Sequence, residues 1–326
     1  MLVSVDLGYG WVKAIREDGR RLAFPAVLAP APRSLGFAEA GSSNGERYRL
    51  AVGSEQVLVG EAAVVAGGSR GLADVASHRP GLRTLLLATL GLLCGDVSGP
   101  LDALLGLPVA AYARADERSE LLALFGGLGE TVNDRPLRIG RVDLYPQGAG
   151  AFFAAAQRDS GLRSGVTGVV DVGHWTTDYM ILSTERGVQV REGAWGSIPA
   201  GMADVIRALC RALEGRLRRS PEPLRVEMAV RDGRPYRHQG QAIPLHDLLE
   251  PATRELARRI EAALQDAWRR ELPALDRVVL AGGGASAVAP ALGTLHARIV
   301  SAPEGQWANA EGYLVLRGAK RGSGVA

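Results

Sequence analysis

Two short segments of the chain combine an aspartate with glycines between apolar, strand-like stretches. The first is Asp6-Leu7-Gly8-Tyr9-Gly10-Trp11-Val12-Lys13, which lies between the strand-like residues 1–6 and 12–16. Glycines at alternate positions let backbone amides approach a polyanion closely, and Lys13 can neutralise phosphate charge. The spacing therefore predicts a phosphate-binding hairpin. An ordinary glycine hairpin is the alternative, because short Asp-Gly turns are common.

The second segment is Asp171-Val172-Gly173-His174-Trp175-Thr176-Thr177-Asp178, which again joins two strand-like stretches. Its Asp171 ends the apolar run 168–171, where a charge is costly unless a metal, its waters or hydrogen-bond donors meet it. Two such hairpins would place Asp6 and Asp171 on either side of one anion, with Mg²⁺ bridging through water. We therefore predict that both aspartates reach the metal through water.

A run of three glycines, Gly282-Gly283-Gly284, follows the predicted strand 277–280 and precedes a predicted helix. Without side chains, a flat base or ribose can rest on the backbone, and the N-terminus of the helix favours phosphate. A tight turn without a ligand is the alternative. The run lacks the Lys-Ser or Lys-Thr of a Walker A loop and the G-x-G-x-x-G spacing of a dinucleotide site.

The neutral amide of Gln147 lies in Tyr145-Pro146-Gln147-Gly148-Ala149, between a predicted strand and a predicted helix. A glutamine at such a position can hold a water in line with a terminal phosphate. We predict this role for Gln147, and a capped helix start is the alternative.

The elements that must position these residues occur in the same order twice. Each half opens with a strand, an Asp-x-Gly turn and a second strand, which indicates an internal duplication. A chain of 326 residues also predicts two domains, at about 150 residues each. Apolar spacing predicts helices over 82–94, 202–217 and 256–272, and a short strand over 226–230.

Composition excludes several classes of protein. Lys and Arg number 38 against 35 Asp and Glu, so the net charge of +3 argues against direct nucleic-acid binding. Cys94 and Cys210 lie far apart, which is unlike a disulfide framework or a zinc site. The apolar stretch 85–94 is about half a membrane span, and the chain begins with a strand rather than a charged leader. These features predict a cytoplasmic protein without membrane contact.

The order of the motifs is similar to that of the actin, sugar kinase and heat-shock chaperone ATPase superfamily. Within it, five phrases resemble ParM-like plasmid-segregation actins and archaeal actin homologues: Gly106-Leu107-Pro108-Val109, Pro146-Gln147-Gly148-Ala149-Gly150-Ala151, Val170-Asp171-Val172-Gly173, Thr176-Thr177-Asp178-Tyr179 and Ala308-Asn309-Ala310-Glu311-Gly312-Tyr313. The resemblance implies an α/β protein with a duplicated actin-like ATPase fold. In that fold, two RNase H-like domains with small inserted subdomains surround a nucleotide cleft. The expected domains are 1–150, with an insert at about 28–78, and 151–326, with an insert at about 195–270.

The resemblance also implies ATP or ADP with Mg²⁺ as cofactors and assigns roles to residues. The first phosphate hairpin would comprise Asp6, Gly8, Tyr9, Gly10 and Lys13, and the second Gly173, Thr176 and Thr177. The remaining roles are Gln147 for the hydrolytic water, Asp171 for the water and Mg²⁺, Gly282, Gly283 and Gly284 for adenosine, and Ala149 and Asn309 for the interdomain hinge.

One departure from the family pattern is the pair His174 and Trp175, which occupies turn positions where small residues are usual. This leaves the turn geometry and the hydrolysis rate open. Trp175 is expected either to shield the site or to pack outward against the insert.

The function that the resemblance implies is a nucleotide-dependent filament with head-to-tail contacts between copies of the chain. A DNA-binding adaptor would then couple the filament to plasmid DNA, so contact with DNA would be indirect. The alternatives are a nonpolymerising adaptor that binds nucleotide and, with less support, a small-molecule kinase of the same superfamily.

Overall fold

The structure is a computed structural model that describes residues 1–31, 47–70, 79–185 and 187–322. The chain divides into two units, Met1–Pro146 together with the segment from Ala310 onward, and Gln147–Asn309. The C-terminal helix therefore lies with the first unit, whereas the sequence analysis assigned residues 151–326 as a whole to the second half. Of the predicted insert at about 28–78, residues 32–46 and 71–78 lie outside the described residues.

The first unit is built on one mixed sheet. Its strands are β1 (Leu2–Leu7), β2 (Trp11–Arg16), β3 (Arg21–Pro25), β4 (Val27–Pro30), β5 (Arg47–Val52), β6 (Glu55–Gly60), β7 (Ser69–Arg70), β8 (Leu101–Leu107), β9 (Gly129–Val132) and β10 (Arg135–Pro146). Its helices are α1 (Glu61–Val65), α2 (Arg79–Cys94), α3 (Val109–Ala113) and α4 (Ala115–Phe125). The strand order is β3-β2-β1-β8-β10-β9-β5-β6-β4-β7.

The second unit has a smaller sheet and a separate hairpin. Its strands are β11 (Val166–Val172), β12 (Thr177–Ser183), β13 (Gln189–Ile198), β14 (Tyr236–His238), β15 (Gln241–Ile243), β16 (Arg277–Ala281) and β17 (Ile299–Ser301). Its helices are α5 (Ala149–Arg158), α6 (Met202–Leu217), α7 (Pro223–Arg231), α8 (His246–Ala267) and α9 (Ala285–Val288), after which α10 (Ala308–Gly322) ends the described chain. The sheet order is β13-β12-β11-β16-β17.

The two sheets share a topology, which confirms the predicted duplication. In the first, β3-β2-β1 are antiparallel neighbours and β8 and β10 run parallel to β1. In the second, β13-β12-β11 are antiparallel, and β16 and β17 run parallel to β11. The register of the first hairpin is the same in both, because Asp6 lies opposite Lys13 and Asp171 lies opposite Asp178.

Alternation along the first strand of each sheet turns the two aspartates away from the larger core cluster. Val3 and Val5 pack in the main core of the first unit, so Asp6 lies on the other face of β1. Val170 and Val172 pack in the main core of the second unit, so Asp171 lies on the other face of β11. Since β11 is buried along its whole length, that second face is covered as well.

The helix α10 joins the first unit because its aromatic face packs on that sheet. Tyr313 is fully buried and stacks on Tyr145 of β10 with ring centroids 5.4 Å apart. Gly106 of β8 makes room for the Tyr313 ring, because a Cβ atom at Gly106 would overlap it. Arg317 also pairs with Asp143 at 3.1 Å.

Most predicted elements are present, but the short strand over 226–230 is wrong. That segment belongs to α7, which begins with Pro223 at a position where its missing N–H is not needed. Val226 and Val230 are spaced by four residues, which also fits one face of a helix. The helix predicted over 256–272 ends at Ala267. Over the described residues, no helix is both long and apolar enough to cross a bilayer.

Both cysteines are free thiols. Burial raises the pKa of Cys94 to about 11, and burial also raises the pKa of Cys210. Both side chains therefore remain protonated at neutral pH.

Candidate functional site

The first predicted hairpin forms a tight turn beside a buried ion pair. Asp6 is 4% exposed, and its Oδ2 accepts a hydrogen bond from Lys13 Nζ at 2.6 Å. A Cβ atom on Gly8 would come within 2.8 Å of the Trp11 carbonyl oxygen, so the turn requires glycine there. Tyr9 is half-buried and Gly10 is buried. The turn thus offers backbone, rather than side chains, beside the ion pair.

Arg70 of β7 holds the carbonyl groups of this turn. Its Nη1 donates to the carbonyl oxygens of Tyr9 and Gly10, both at 2.9 Å. The Gly10 oxygen also accepts from the backbone N–H of Ala26 at 2.9 Å. These donors offset the negative ends of the peptide dipoles that would otherwise repel an anion at the turn.

The second hairpin closes in the same way as the first. A Cβ atom on Gly173 would come within 2.8 Å of the Thr176 carbonyl oxygen, the same distance as between Gly8 and Trp11. The carbonyls of Gly173 and His174 accept from Met202 N at 3.1 Å and Ala203 N at 2.7 Å, at the start of α6. In both units, donors from outside the turn therefore occupy its carbonyl groups.

His174 and Trp175 leave this turn geometry intact. Trp175 is 40% exposed and its ring lies 5.8 Å from the guanidinium carbon of Arg207 on α6. His174 Nδ1 lies 3.5 Å from Glu227 Oε1 on α7. Both side chains contact helices of the predicted insert at 195–270, which favours the outward packing considered from the sequence.

Asp171 is hydrogen-bonded to Asn309, the last residue of its unit in sequence. It is 6% exposed, and its Oδ2 accepts from Asn309 Nδ2 at 2.5 Å. Asn309 Oδ1 in turn accepts from Gly148 N at 2.9 Å and Ala151 N at 3.2 Å, at the start of α5. Gln147, half-buried, directly precedes this capped segment. The second unit thus links Asp171 and the Gln147–Gly148 peptide through one amide.

The other polar residues of the second hairpin differ in what they can offer a ligand. Thr177 is fully buried and its hydroxyl donates to the Ala200 carbonyl at 2.8 Å, so it ties β12 to the loop before α6. Thr176 is half-buried. Asp178, which the sequence analysis did not select, is 3% exposed and accepts from the Ser197 hydroxyl. Its signal was its position seven residues after Asp171, the same spacing as between Asp6 and Lys13.

The three glycines after β16 have different reasons to be glycine. Gly282 has φ +91°, and a Cβ atom there would overlap the Val172 carbonyl and the Asp171 carboxylate. A Cβ atom on Gly284 would come within 2.7 Å of Val172 and 2.8 Å of Met202. Gly283 is exposed and would meet nothing within 4 Å. Internal packing therefore explains the first and third glycines, but not Gly283.

This geometry bears on two predicted interactions, that of phosphate with the N-terminus of a helix and that of a metal ion with carboxylates. The helix after the glycines, α9, has only four residues, so its dipole contributes little to binding phosphate. Within the described parts of the chain, no three His, Cys, Asp or Glu side chains are arranged to hold a metal ion. Asp6 and Asp171 are each buried carboxylates beside a glycine turn, and each accepts a hydrogen bond within its own unit, Asp6 from Lys13 and Asp171 from Asn309.

Comparison with known proteins identifies relatives over the whole chain. The family profile described as actin like proteins, N terminal domain, matches residues 4–150, and that described as archaeal actin homologue MreB-like, C-terminal, matches residues 169–294. An archaeal actin homolog of Thermoplasma acidophilum is 25% identical over 338 residues, which cover 96% of this chain and 97% of that protein.

Solved structures agree with the family profiles. A 15-stranded ParM filament from Clostridium botulinum gives a TM-score of 0.84 at 20% identity, covering 98% of this chain and 99% of that one. An archaeal actin homolog in complex with ADP gives 0.77 at 20% identity, with the same coverage. These likenesses confirm the predicted duplicated actin-like ATPase fold. The two matched segments are therefore domains of the actin-like proteins and of the archaeal actin homologues, and the fold is shared with the solved ParM filament.

Proposed function

We propose that this protein is an ATPase that binds Mg-ATP through both of its hairpins and assembles into filaments. The observation that supports this most strongly is the repeated hairpin. Each one has a buried aspartate, a sterically required glycine two residues later, and turn carbonyls held by outside donors. An archaeal actin homolog of the same fold has been solved with ADP, which supports nucleotide binding here.

In this proposal the residues divide the work between holding the nucleotide and hydrolysing it. Backbone amides of Gly8–Gly10 and of His174–Thr176 bind the phosphates, while the Gly173 N–H closes the second turn on the Thr176 carbonyl. Lys13 offsets the phosphate charge. The exposed peptide of Gly283, flanked by Gly282 and Gly284, lies along the adenosine. Gln147 and Asp171 orient the hydrolytic water, and Asp6 and Asp171 bind the waters of Mg²⁺, which when present neutralises phosphate charge.

The proposed partner is a second copy of this chain, arranged head to tail. A ParM of the same fold has been solved as a filament, which supports self-association. By analogy with ParM we propose segregation of plasmid DNA through a DNA-binding adaptor, in the cytoplasm. Two free cysteines fit a reducing compartment.

We expect light scattering to rise when ATP and Mg²⁺ are added to the purified chain, and to fall again as ATP is consumed. Bound ATP favours the contacts between subunits and its hydrolysis weakens them, so ADP alone should give no lasting rise in light scattering. The measurement is scattering at 90°, with phosphate release followed in the same sample and negative-stain microscopy at the plateau.

The same experiment separates the alternatives. Nucleotide binding without scattering or phosphate release would favour a nonpolymerising adaptor. ATP consumption that requires an added sugar or carboxylate, without scattering, would favour a kinase. Either result would contradict the filament proposal.

Replacing Arg70 by methionine is expected to weaken binding of ADP by about tenfold, because a lost charged hydrogen bond costs about 1.5–3 kcal/mol. Arg70 donates to the carbonyl oxygens of Tyr9 and Gly10. Without Arg70, these carbonyl oxygens would turn toward the phosphate and repel its negative charge. Calorimetry with ADP and Mg²⁺ measures the change. Arg49→Met, which replaces an exposed arginine of β5, is the matched control and should bind like the parent. Unchanged affinity in Arg70→Met would show that the first turn does not contact phosphate.

A further inference from the structure

We propose that Asn309 is a positioning residue, which orients the Asp171 carboxylate and the peptide bond after Gln147 at the same time. This inference rests on the proposed function, in which Asp171 and Gln147 act on the hydrolytic water. The family resemblance implied for Asn309 only a place in the interdomain hinge. Its contacts give it a more specific role.

The hydrogen bonds of Asn309 define which way its side-chain amide points. Asn309 is 5% exposed, and its Oδ1 accepts from two backbone N–H groups, those of Gly148 at 2.9 Å and Ala151 at 3.2 Å. Its Nδ2 donates to Asp171 Oδ2 at 2.5 Å. The flipped amide would set donor against donor and carbonyl against carboxylate, so one orientation satisfies all three partners.

The contact with Gly148 fixes the backbone that carries Gln147. The N–H of Gly148 belongs to the peptide bond that joins it to Gln147, and Gly148 has φ +87°, a conformation that favours glycine. The N-cap residue of α5 is Gly148 itself, which has no side chain that could cap the helix. Asn309 therefore supplies the cap from more than 150 residues away in sequence.

The position of Asn309 in the chain gives this link a further consequence. The chain passes from one unit to the other at 146/147 and again at 309/310. Gly148 and Asn309 lie beside these two passages, and their hydrogen bond ties both to Asp171. A change in the hydrogen bonding of Asp171 when nucleotide binds or is hydrolysed thus reaches both connections directly. In the first hairpin, Asp6 is paired with Lys13 of the adjacent strand instead.

An exchange of the two side chains tests the contact. Asn309→Asp keeps an oxygen for Gly148 N and Ala151 N but sets a second carboxylate against Asp171. We expect its thermal midpoint to fall by on the order of 10 °C, because a buried like-charged pair replaces a hydrogen bond. The double variant Asn309→Asp with Asp171→Asn reverses donor and acceptor, and we expect it to recover most of that loss.

Turnover tests the positioning role apart from stability. Measured well below its thermal midpoint, Asn309→Asp should hydrolyse ATP at least about tenfold more slowly, as is typical when the partner of a site carboxylate is lost. Its KM for ATP should change much less than its kcat. The matched control is Asn133→Asp, an exposed turn residue whose Oδ1 accepts from Ala51 N at 2.9 Å, and it should match the parent in both assays.

The outcomes distinguish this inference from the proposed function. If the double variant is no more stable than Asn309→Asp, or if Asn309→Asp retains the parent kcat, the positioning role is wrong. If the parent chain neither binds nor hydrolyses ATP, the proposed function fails. Rescue by the double variant would then still support the contact itself.

Discussion

Asp171→Asn is expected to lower ATP turnover by about 10²–10⁴-fold while the protein stays folded. The substitution removes the negative charge that would polarise the hydrolytic water and hold the waters of Mg²⁺. It keeps an oxygen that can accept from Asn309 Nδ2, which lies 2.5 Å from Asp171 Oδ2 in the parent, so this contact can be retained. Phosphate release at saturating ATP measures the effect, and scattering should show filaments that form but do not disassemble, or no assembly.

Asp266→Asn is the matched control for this variant. It removes an aspartate from the same unit, but the Asp266 side chain is 78% exposed and pairs with Arg269, just beyond the end of α8. We expect parent turnover from it. Turnover in Asp171→Asn within a few-fold of the parent would show that the second hairpin carries no catalytic carboxylate.

Gly282→Ala is expected to destabilise the protein, whereas Gly283→Ala is expected to weaken nucleotide binding. Gly282 has φ +91° and no room for a Cβ atom, so alanine should reduce the free energy of unfolding of the second unit by about 2–3 kcal/mol. Gly283→Ala should leave the free energy of unfolding unchanged, because nothing lies within 4 Å of the new methyl group. The methyl would instead project where the proposed adenosine lies, weakening ADP binding by about tenfold or more.

Urea unfolding and ADP titration of both variants separate these effects. Gly293→Ala is the matched control, because Gly293 is also exposed with nothing within 4 Å, yet lies outside the proposed site. Parent affinity in Gly283→Ala would place the nucleotide elsewhere. Parent stability in Gly282→Ala would mean that the turn after β16 has a different backbone.

The hairpins could be predicted from the sequence because their cause is local. An aspartate at the end of an apolar strand and a glycine two residues later define a tight turn without reference to distant residues. The register that places Asp6 opposite Lys13 and Asp171 opposite Asp178 follows from the same spacing. The duplicated sheet order then follows from repeating this motif within one family fold.

The contacts that position the hairpins could not be predicted, because they join residues far apart in sequence. Arg70 lies 60 residues from Gly10, and Asn309 lies 138 residues from Asp171. Neither has a local pattern that indicates its partner. The same holds for α10, whose packing on the first unit depends on Tyr145 and Gly106 rather than on its own periodicity. The strand predicted over 226–230 was wrong because two valines spaced by four residues fit either element.

The central claim is that the two hairpins hold one nucleotide together. The most direct measurement is a crystal structure of the chain with Mg²⁺ and a nonhydrolysable ATP analogue. The account predicts one nucleotide per chain, with its phosphates hydrogen-bonded to amides of both Gly8–Gly10 and His174–Thr176, and with the metal joined to Asp6 and Asp171 through water. A nucleotide that contacts a single hairpin, or that binds away from both, would contradict it.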